Sequence, residues 1–366
     1  MDMHDILEAL REDDEHYVLA TILCVEGHSY RKAGASMLFK SSGEQIGAVS
    51  PGCLEHDLQA IAEMVSASGQ FVCMSYNMNA DEDAIWGEAI GCGGEIRLLL
   101  EPVKGRLLTL LLEAKTKLEA SMSVRLARSW NDSIIEYELY DFVDDVDDAF
   151  YWEETASLHH LELVLSPRPR LIVFGVGKDA EAIYELVKKI GFHMILADWR
   201  PALCSEERFP EAKCVVGSPE EIADQLHFRS SDYLIVCSHN LQRDKDMIRL
   251  ALPLQLVYIG ILGSKKRIRH LFETFLIPSN VRAPIGLSVG ADGPYEIAVS
   301  IAAELIAIRA GRKERFRKER EKYEYFSPLF GSGTKQAYGY QKAVSGAREE
   351  QAAGKDGAAC SLNRFN

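Results

Sequence analysis

Apolar runs, separated by polar segments rich in glycine and proline, divide this chain into two unlike halves. In the first half, residues 17–25 (YVLATILCV) are almost wholly apolar and predict a buried strand, with a short helix before it over 5–10. The polar glycine loop EGHSYRKAGASMLF returns the chain into a second strand, and a turn at Ser41, Ser42 and Gly43 leads to a third over 45–49. Ser50, Pro51 and Gly52 then open a helix over 53–64, with Leu54, Leu58, Ile61 and Met64 as its apolar face. Strands are predicted at 71–74 and 95–101, a helix over 107–120, and paired strands at 123–128 and 133–139. The pattern predicts an N-terminal α+β domain over 1–165.

Ser166-Pro167-Arg168-Pro169-Arg170 reads as a linker, because alternate prolines remove donors and fix φ. Strands and helices alternate after it. Strands are predicted at 171–174, 193–197, 233–237 and 256–259, and helices over 178–190, 220–225 and 295–310. Alternation of this kind predicts an α/β domain over 171–310, with a Rossmann-like doubly wound parallel sheet. In the last helix Ile297, Ile301, Leu305 and Ile308 form the inward stripe. The segment 311–366 turns basic and then Gly-, Ser- and Ala-rich, and is read as a solvated helix extension with a disordered tail.

Charge narrows the partners. A formal net charge of −14 over 366 residues argues against a general nucleic-acid binder, which needs clustered Lys and Arg. No run is long enough to span a bilayer, and the acidic N-terminus has no signal-peptide pattern, so a cytoplasmic protein is expected. The eight cysteines contain no CxxC pair and are expected as thiols. Cys24, Cys73 and Cys237 lie in apolar strand-like runs and are expected to pack as small buried side chains. Cys53 and Cys92 sit instead in the glycine turns SPGC and GCGG.

The most specific local motif is RLIVFGVGKDA, in which a strand enters Gly175-x-Gly177-x-x-Ala180 and a helix follows. The first glycine permits the turn, the second lets backbone approach a pyrophosphate, and the alanine allows close helix packing. Asp198, ending the next strand, is placed to accept bonds from ribose hydroxyls. NAD or another nucleotide is therefore a candidate ligand, and a fold retained without its nucleotide site is the alternative. His239, with Asp244 five residues later, is the best candidate for proton transfer. In IGILGSKKR, Ser264 and Lys265 begin a helix where a phosphate or carboxylate could sit, or where an ordinary cap would suffice. In the N-terminal half, Arg31 and Gly34 lie in the first glycine loop, and Gly52, Cys53 and Glu55 in the second. A helix start favours a thiolate at Cys53. A metal there is left open, since Glu55, His56 and Asp57 follow at once but point in different directions.

Together GHSYRKAGASMLF, SPGCLEHD, GCGGEIRLLLEP, RLIVFGVG, ADWRP, IVCSHN, YIGILGSKKR and IGLSVGADGPYEIAVSIAAE resemble the xanthine dehydrogenase accessory family of the XdhC/CoxI type. The resemblance runs from about residue 17 to 310. It implies a maturation factor rather than a catalyst, one that binds the molybdenum–molybdopterin cofactor as cargo. It further implies protection of the cofactor during sulfuration by a cysteine desulfurase, and delivery to an apo xanthine dehydrogenase-type molybdenum hydroxylase. A second copy of the chain, as a homodimer, is a further expected partner. Carried over by position, the site residues are Arg31, Gly34, Gly52, Cys53, Glu55, Cys92, Gly93, Gly175, Gly177 and Asp198. This chain departs from the family in having Pro51-Gly52-Cys53 where Gly-Gly-Cys is usual. The competing reading is an NAD(P)-binding oxidoreductase that uses the Rossmann domain.

Overall fold

The computed structural model describes residues 2–12, 16–77, 94–142, 150–155, 157–273 and 277–324, the last thirteen as backbone only. The apolar run at Tyr17 becomes β1 (Tyr17–Gly27), the middle strand of a five-stranded antiparallel sheet. Around it lie β2 (Ser36–Lys40), β3 (Gln45–Gly47), β4 (Val72–Asn77) and β5 (Gly94–Pro102), in the order β3-β2-β1-β5-β4. A run that is apolar at nearly every position suits a strand covered on both faces. One face takes α2 (Glu55–Ser68). The other takes α1 (Asp2–Ala9), α3 (Gly105–Glu119) and a second sheet.

Helix α2 turns most of the predicted face inward, with Leu58 buried and Ile61 packed half-buried against the core, but not Met64. Leu58, Ala62 and Val65 are buried at i, i+4 and i+7, whereas Met64 is 63% exposed. The helix begins at Glu55, two residues later than expected, and small Ala62 lets it lie close to the sheet. Leu54 is buried, but at the cap.

The second sheet is antiparallel, in the order β7-β6-β9-β8. It contains the predicted pair β6 (Ser123–Trp130) and β7 (Ile135–Phe142), together with β8 (Phe150–Glu154) and β9 (His159–Leu165), which are not among the predicted strands. Where the sheets face each other, Arg128 Nε donates to Glu101 Oε1 at 2.7 Å, and both side chains are fully buried. Burial pushes the Glu101 carboxyl above its ordinary range.

The third sheet is parallel and six-stranded. It comprises β10 (Arg170–Phe174), β11 (His193–Asp198), β12 (Lys213–Val216), β13 (Tyr233–Val236), β14 (Tyr258–Ile261) and β15 (Val281–Arg282), ordered β12-β11-β10-β13-β14-β15. Strand order reverses between β10 and β13, the arrangement of a doubly wound dinucleotide-binding sheet. Helices α4 (Lys178–Val187), α5 (Pro219–Leu226), α6 (Leu241–Ala251), α7 (Lys265–Leu271) and α8 (Pro294–Glu324) follow in chain order. Ile301 and Leu305 of α8 pack with Ala180 and Ile183 of α4 over one face of the sheet. No helix among the described residues is long and apolar enough to cross a membrane.

Candidate functional site

In an open parallel sheet, ligands sit beyond the carboxyl ends of the strands at the point where strand order reverses. Here that point lies between the turn after β10, residues 175–177, and the turn after β13, residues 237–240. Each turn is fastened to the end of a neighbouring strand. Gly175 N donates to Ala197 O at 2.8 Å, Cys237 N to Phe174 O at 2.8 Å, and Leu262 N to Val236 O at 3.0 Å.

The two glycines of the first turn do different work. Gly175 has φ 103°, and a Cβ there would stand 2.2 Å from Ser238 Cα and 2.3 Å from Ser238 N. It is glycine because the two turns meet backbone to backbone. Gly177 is the N-cap of α4, with extended backbone, and a Cβ there would meet nothing within 4 Å. Space at this residue opens outward, beside the free N–H groups of a helix start, as a bound phosphate requires.

Asp198 is committed within the chain. Its side chain is fully buried and accepts from Val176 N (2.7 Å), Arg200 N (2.9 Å), Arg200 Nε (2.9 Å) and Arg200 Nη2 (2.8 Å). Burial alone would raise its pKa, but these hydrogen bonds hold the carboxyl below its ordinary value. It therefore clamps the glycine turn to the end of β11, and its lone pairs are directed at protein donors rather than at a ribose. Arg200 was not singled out from sequence, although its place two residues after Asp198 is the signal. The Arg200 and Arg243 guanidiniums stand 4.4 and 4.6 Å from the Trp199 ring centroid, which concentrates positive charge at this edge.

His239 lies on the second turn at φ 60°, is well exposed, and meets Asp179 of α4 at 3.0 Å, bridging the crevice. Its expected neighbour Asp244 is buried instead, accepting from Ser238 Oγ and, at 2.6 Å, from Arg267 Nη2. Ser264 caps α7 by accepting from Arg267 N at 3.2 Å, and Lys265 is exposed at the start of that seven-residue helix. The ordinary-cap alternative thus accounts for Ser264.

The structure brings the second N-terminal loop together around Ser50. Its N–H donates to Glu55 Oε1 at 2.9 Å and its hydroxyl to Glu55 Oε2, and that hydroxyl accepts from Gly52 N (3.2 Å) and Leu54 N (3.1 Å). Burial would raise the Glu55 carboxyl, yet these bonds hold it below its ordinary value. Cys53 is half-buried and lines a small, mostly apolar cleft with Tyr30, Ser50 and Ile96. Glu55 turns to Ser50 and Asp57 to Tyr76, so neither joins Cys53. Among the described residues no three His, Cys, Asp or Glu side chains are arranged to hold a metal ion. Arg31 pairs with Asp2 of α1. Gly34, at φ 86°, is needed where Phe150 approaches. Cys92 and Gly93 lie outside the described residues.

Of the three strand cysteines expected to be buried, Cys237 is, Cys24 is half-buried, and Cys73 lies exposed on edge strand β4.

Comparison with known proteins matches this architecture. The family model described as the XdhC Rossmann domain matches residues 171–305, and that of the XdhC and CoxI family matches residues 10–77. A probable xanthine dehydrogenase subunit from Bacillus subtilis is 35% identical over 333 residues, covering 84% of this chain and 97% of the relative. The molybdenum cofactor insertion chaperone PaoD from Escherichia coli is 24% identical over 305 residues, covering 81% of this chain and 85% of PaoD. A crystal structure of a xanthine dehydrogenase from Bacillus halodurans superposes with a TM-score of 0.76 at 34% identity, covering 86% of this chain and 97% of that one. The chain belongs to the XdhC and CoxI family of xanthine dehydrogenase accessory proteins.

Proposed function

We propose that this protein binds the molybdenum–molybdopterin cofactor as cargo and delivers it, in sulfurated form, to an apo xanthine dehydrogenase-type molybdenum hydroxylase in the cytoplasm. The observation that carries the reading is the glycine turn at the sheet's switch point. Gly177 leaves room for a phosphate at a helix N-terminus, on a chain similar over 81% of its length to a cofactor insertion chaperone. Molybdopterin supplies such a phosphate, and any appended nucleotide would extend toward Trp199, Arg200 and Arg243. Cys53, half-buried in a glycine loop, is the thiol we assign to the sulfur-ligated metal end of the cargo. Sulfuration by a cysteine desulfurase requires a second docking partner, and a homodimer would present two such surfaces.

The oxidoreductase reading leaned on Asp198 as a ribose acceptor. With four hydrogen bonds from its own chain, that carboxylate serves the turn instead.

The test is cofactor retention under anaerobic conditions. The protein is mixed with cofactor released from a donor enzyme, desalted, and assayed for molybdenum beside Gly177→Val and Cys53→Ala. The reading requires retention by the wild type and loss in the Gly177 variant. Absence of retention, together with tight NAD binding, would replace it with the oxidoreductase.

A further inference from the structure

Apart from the glycine turn, the N-terminal half holds an open cleft of about 270 Å³ between its two sheets. One wall is Leu23, Cys73, Ser75 and Arg97, from β1, β4 and β5. The other is Trp152, Glu154 and His159, from β8 and β9. The Trp152 and His159 rings are nearly parallel, at 6°, with centroids 5.8 Å apart. Both rest on buried Trp130, at 5.2 and 5.4 Å, so they form a fixed aromatic wall rather than two mobile side chains.

Polar groups are set around this wall. Arg97 donates to Glu154 at 2.5 Å and is about a third exposed, so its guanidinium reaches the cleft. His159 Nδ1 is buried and makes no hydrogen bond among the described residues. Glu154 Oε1 stands 3.5 Å from it. The Cys73 sulfur adds a soft, polarizable group to the wall of the cleft.

We propose that this cleft is a second ligand site, distinct from the turn at Gly177, for a flat fused-ring nitrogen heterocycle bearing an acidic group, of the pterin or purine class. The ring stacks against Trp152 and His159, and the acidic group competes with Glu154 for Arg97. The cleft is near the lower end of small-molecule pockets, which run from roughly 300 Å³ upward, so it takes one bicyclic head and not a dinucleotide. The inference does not depend on the delivery reading. A pterin ligand would belong to that cargo, whereas a purine would be an independent effector.

The test titrates the full chain with 6-carboxypterin, followed by fluorescence anisotropy, and with xanthine, followed by calorimetry. Binding of either supports the site, and the one that binds assigns its class. Trp152→Ala should weaken that probe by about 5- to 150-fold, the range for losing one stacking platform. Glu154→Gln, which releases Arg97 and removes no ring, should tighten it several-fold. Neither probe binding the folded wild type would overturn the proposal. So would unaltered affinity in a Trp152→Ala protein of unaltered melting temperature. If that variant fails to fold, unchanged or weaker binding by Glu154→Gln does the same.

Discussion

The two glycines of one turn predict opposite outcomes for the same substitution. Gly175→Ala puts a methyl group 2.2 Å from Ser238 Cα and 2.7 Å from Cys237 C, both backbone atoms tied into the end of β13. Neither can swing aside as a side chain would. Overpacking of this kind costs about 1–3 kcal/mol, and an alanine held at φ 103° adds about 1–3 kcal/mol of backbone strain. The sum, about 2–6 kcal/mol, is a large part of the 5–15 kcal/mol that stabilises a typical domain. It should lower the melting temperature by roughly 6–20 °C, read by circular dichroism. Gly177→Ala faces no such obstacle, since its methyl meets nothing and its backbone is extended. Its stability should stay within about 1 kcal/mol of the wild type, while the same methyl occupies the space assigned to phosphate and weakens cofactor retention at least ten-fold. Equal melting temperatures for the two variants would refute the reasoning about Gly175. A folded Gly177→Ala protein with unchanged retention would remove the turn from the binding site.

Other expectations follow from the buried groups. Arg128→Ala strands Glu101 as an uncompensated buried carboxylate and should cost about 3–5 kcal/mol; the double replacement Arg128→Met, Glu101→Leu should recover most of it, as read from urea midpoints at constant slope. Asp198, held below its ordinary 3.8, contributes stability that is full above that pH and lost as pH falls through its lower folded value. Asp198→Asn should therefore be less stable than the wild type at pH 7 and show a shallower loss on acidification, and identical pH profiles would contradict the clamp. Cys204, pushed by burial up to about 12, and Cys237, raised well above the ordinary thiol range, should resist iodoacetamide at pH 8 until the protein is denatured. Mass-spectrometric detection of label on either in the native protein would show that the β11 or β13 packing opens. Ser50→Ala removes the hydroxyl shared by Glu55, Gly52 and Leu54, and should lower stability by about 1–3 kcal/mol.

The Rossmann half was the more legible in sequence because its central strands are buried on both faces. LIVF and YLIV read as continuous apolar runs, and the glycine turn after the first is visible as a motif. Strand β12 was missed because four residues, KCVV, with an exposed lysine, carry too little pattern. Helix α6 was missed because Met247, Ile248 and Ala251 form its only inward stripe among charged neighbours. In the other half β8 is an edge strand with no fully buried residue, which erases the period-two signal. Strand β9 could have been found, since Leu161, Leu163 and Leu165 alternate and are all buried. The aromatic cleft stands on these two strands, and so was hidden with them. At the candidate site, the glycines were readable from spacing, but the partners of Asp198 and His239 were not. Val176 and Asp179 reach them only through the three-dimensional approach of separate turns, whereas Arg200 stands two residues from Asp198.

The delivery reading is tested most directly by following molybdenum itself. Wild-type protein and the Gly177→Ala variant, both shown to be folded, would be loaded anaerobically with released cofactor, desalted, and then mixed with an apo molybdenum hydroxylase. The account predicts that molybdenum co-elutes with the wild type, passes to the hydroxylase and restores its activity, and that the variant retains at least ten-fold less. Wild-type protein that holds no molybdenum, or a hydroxylase activated equally well by free cofactor and by either protein, would contradict it.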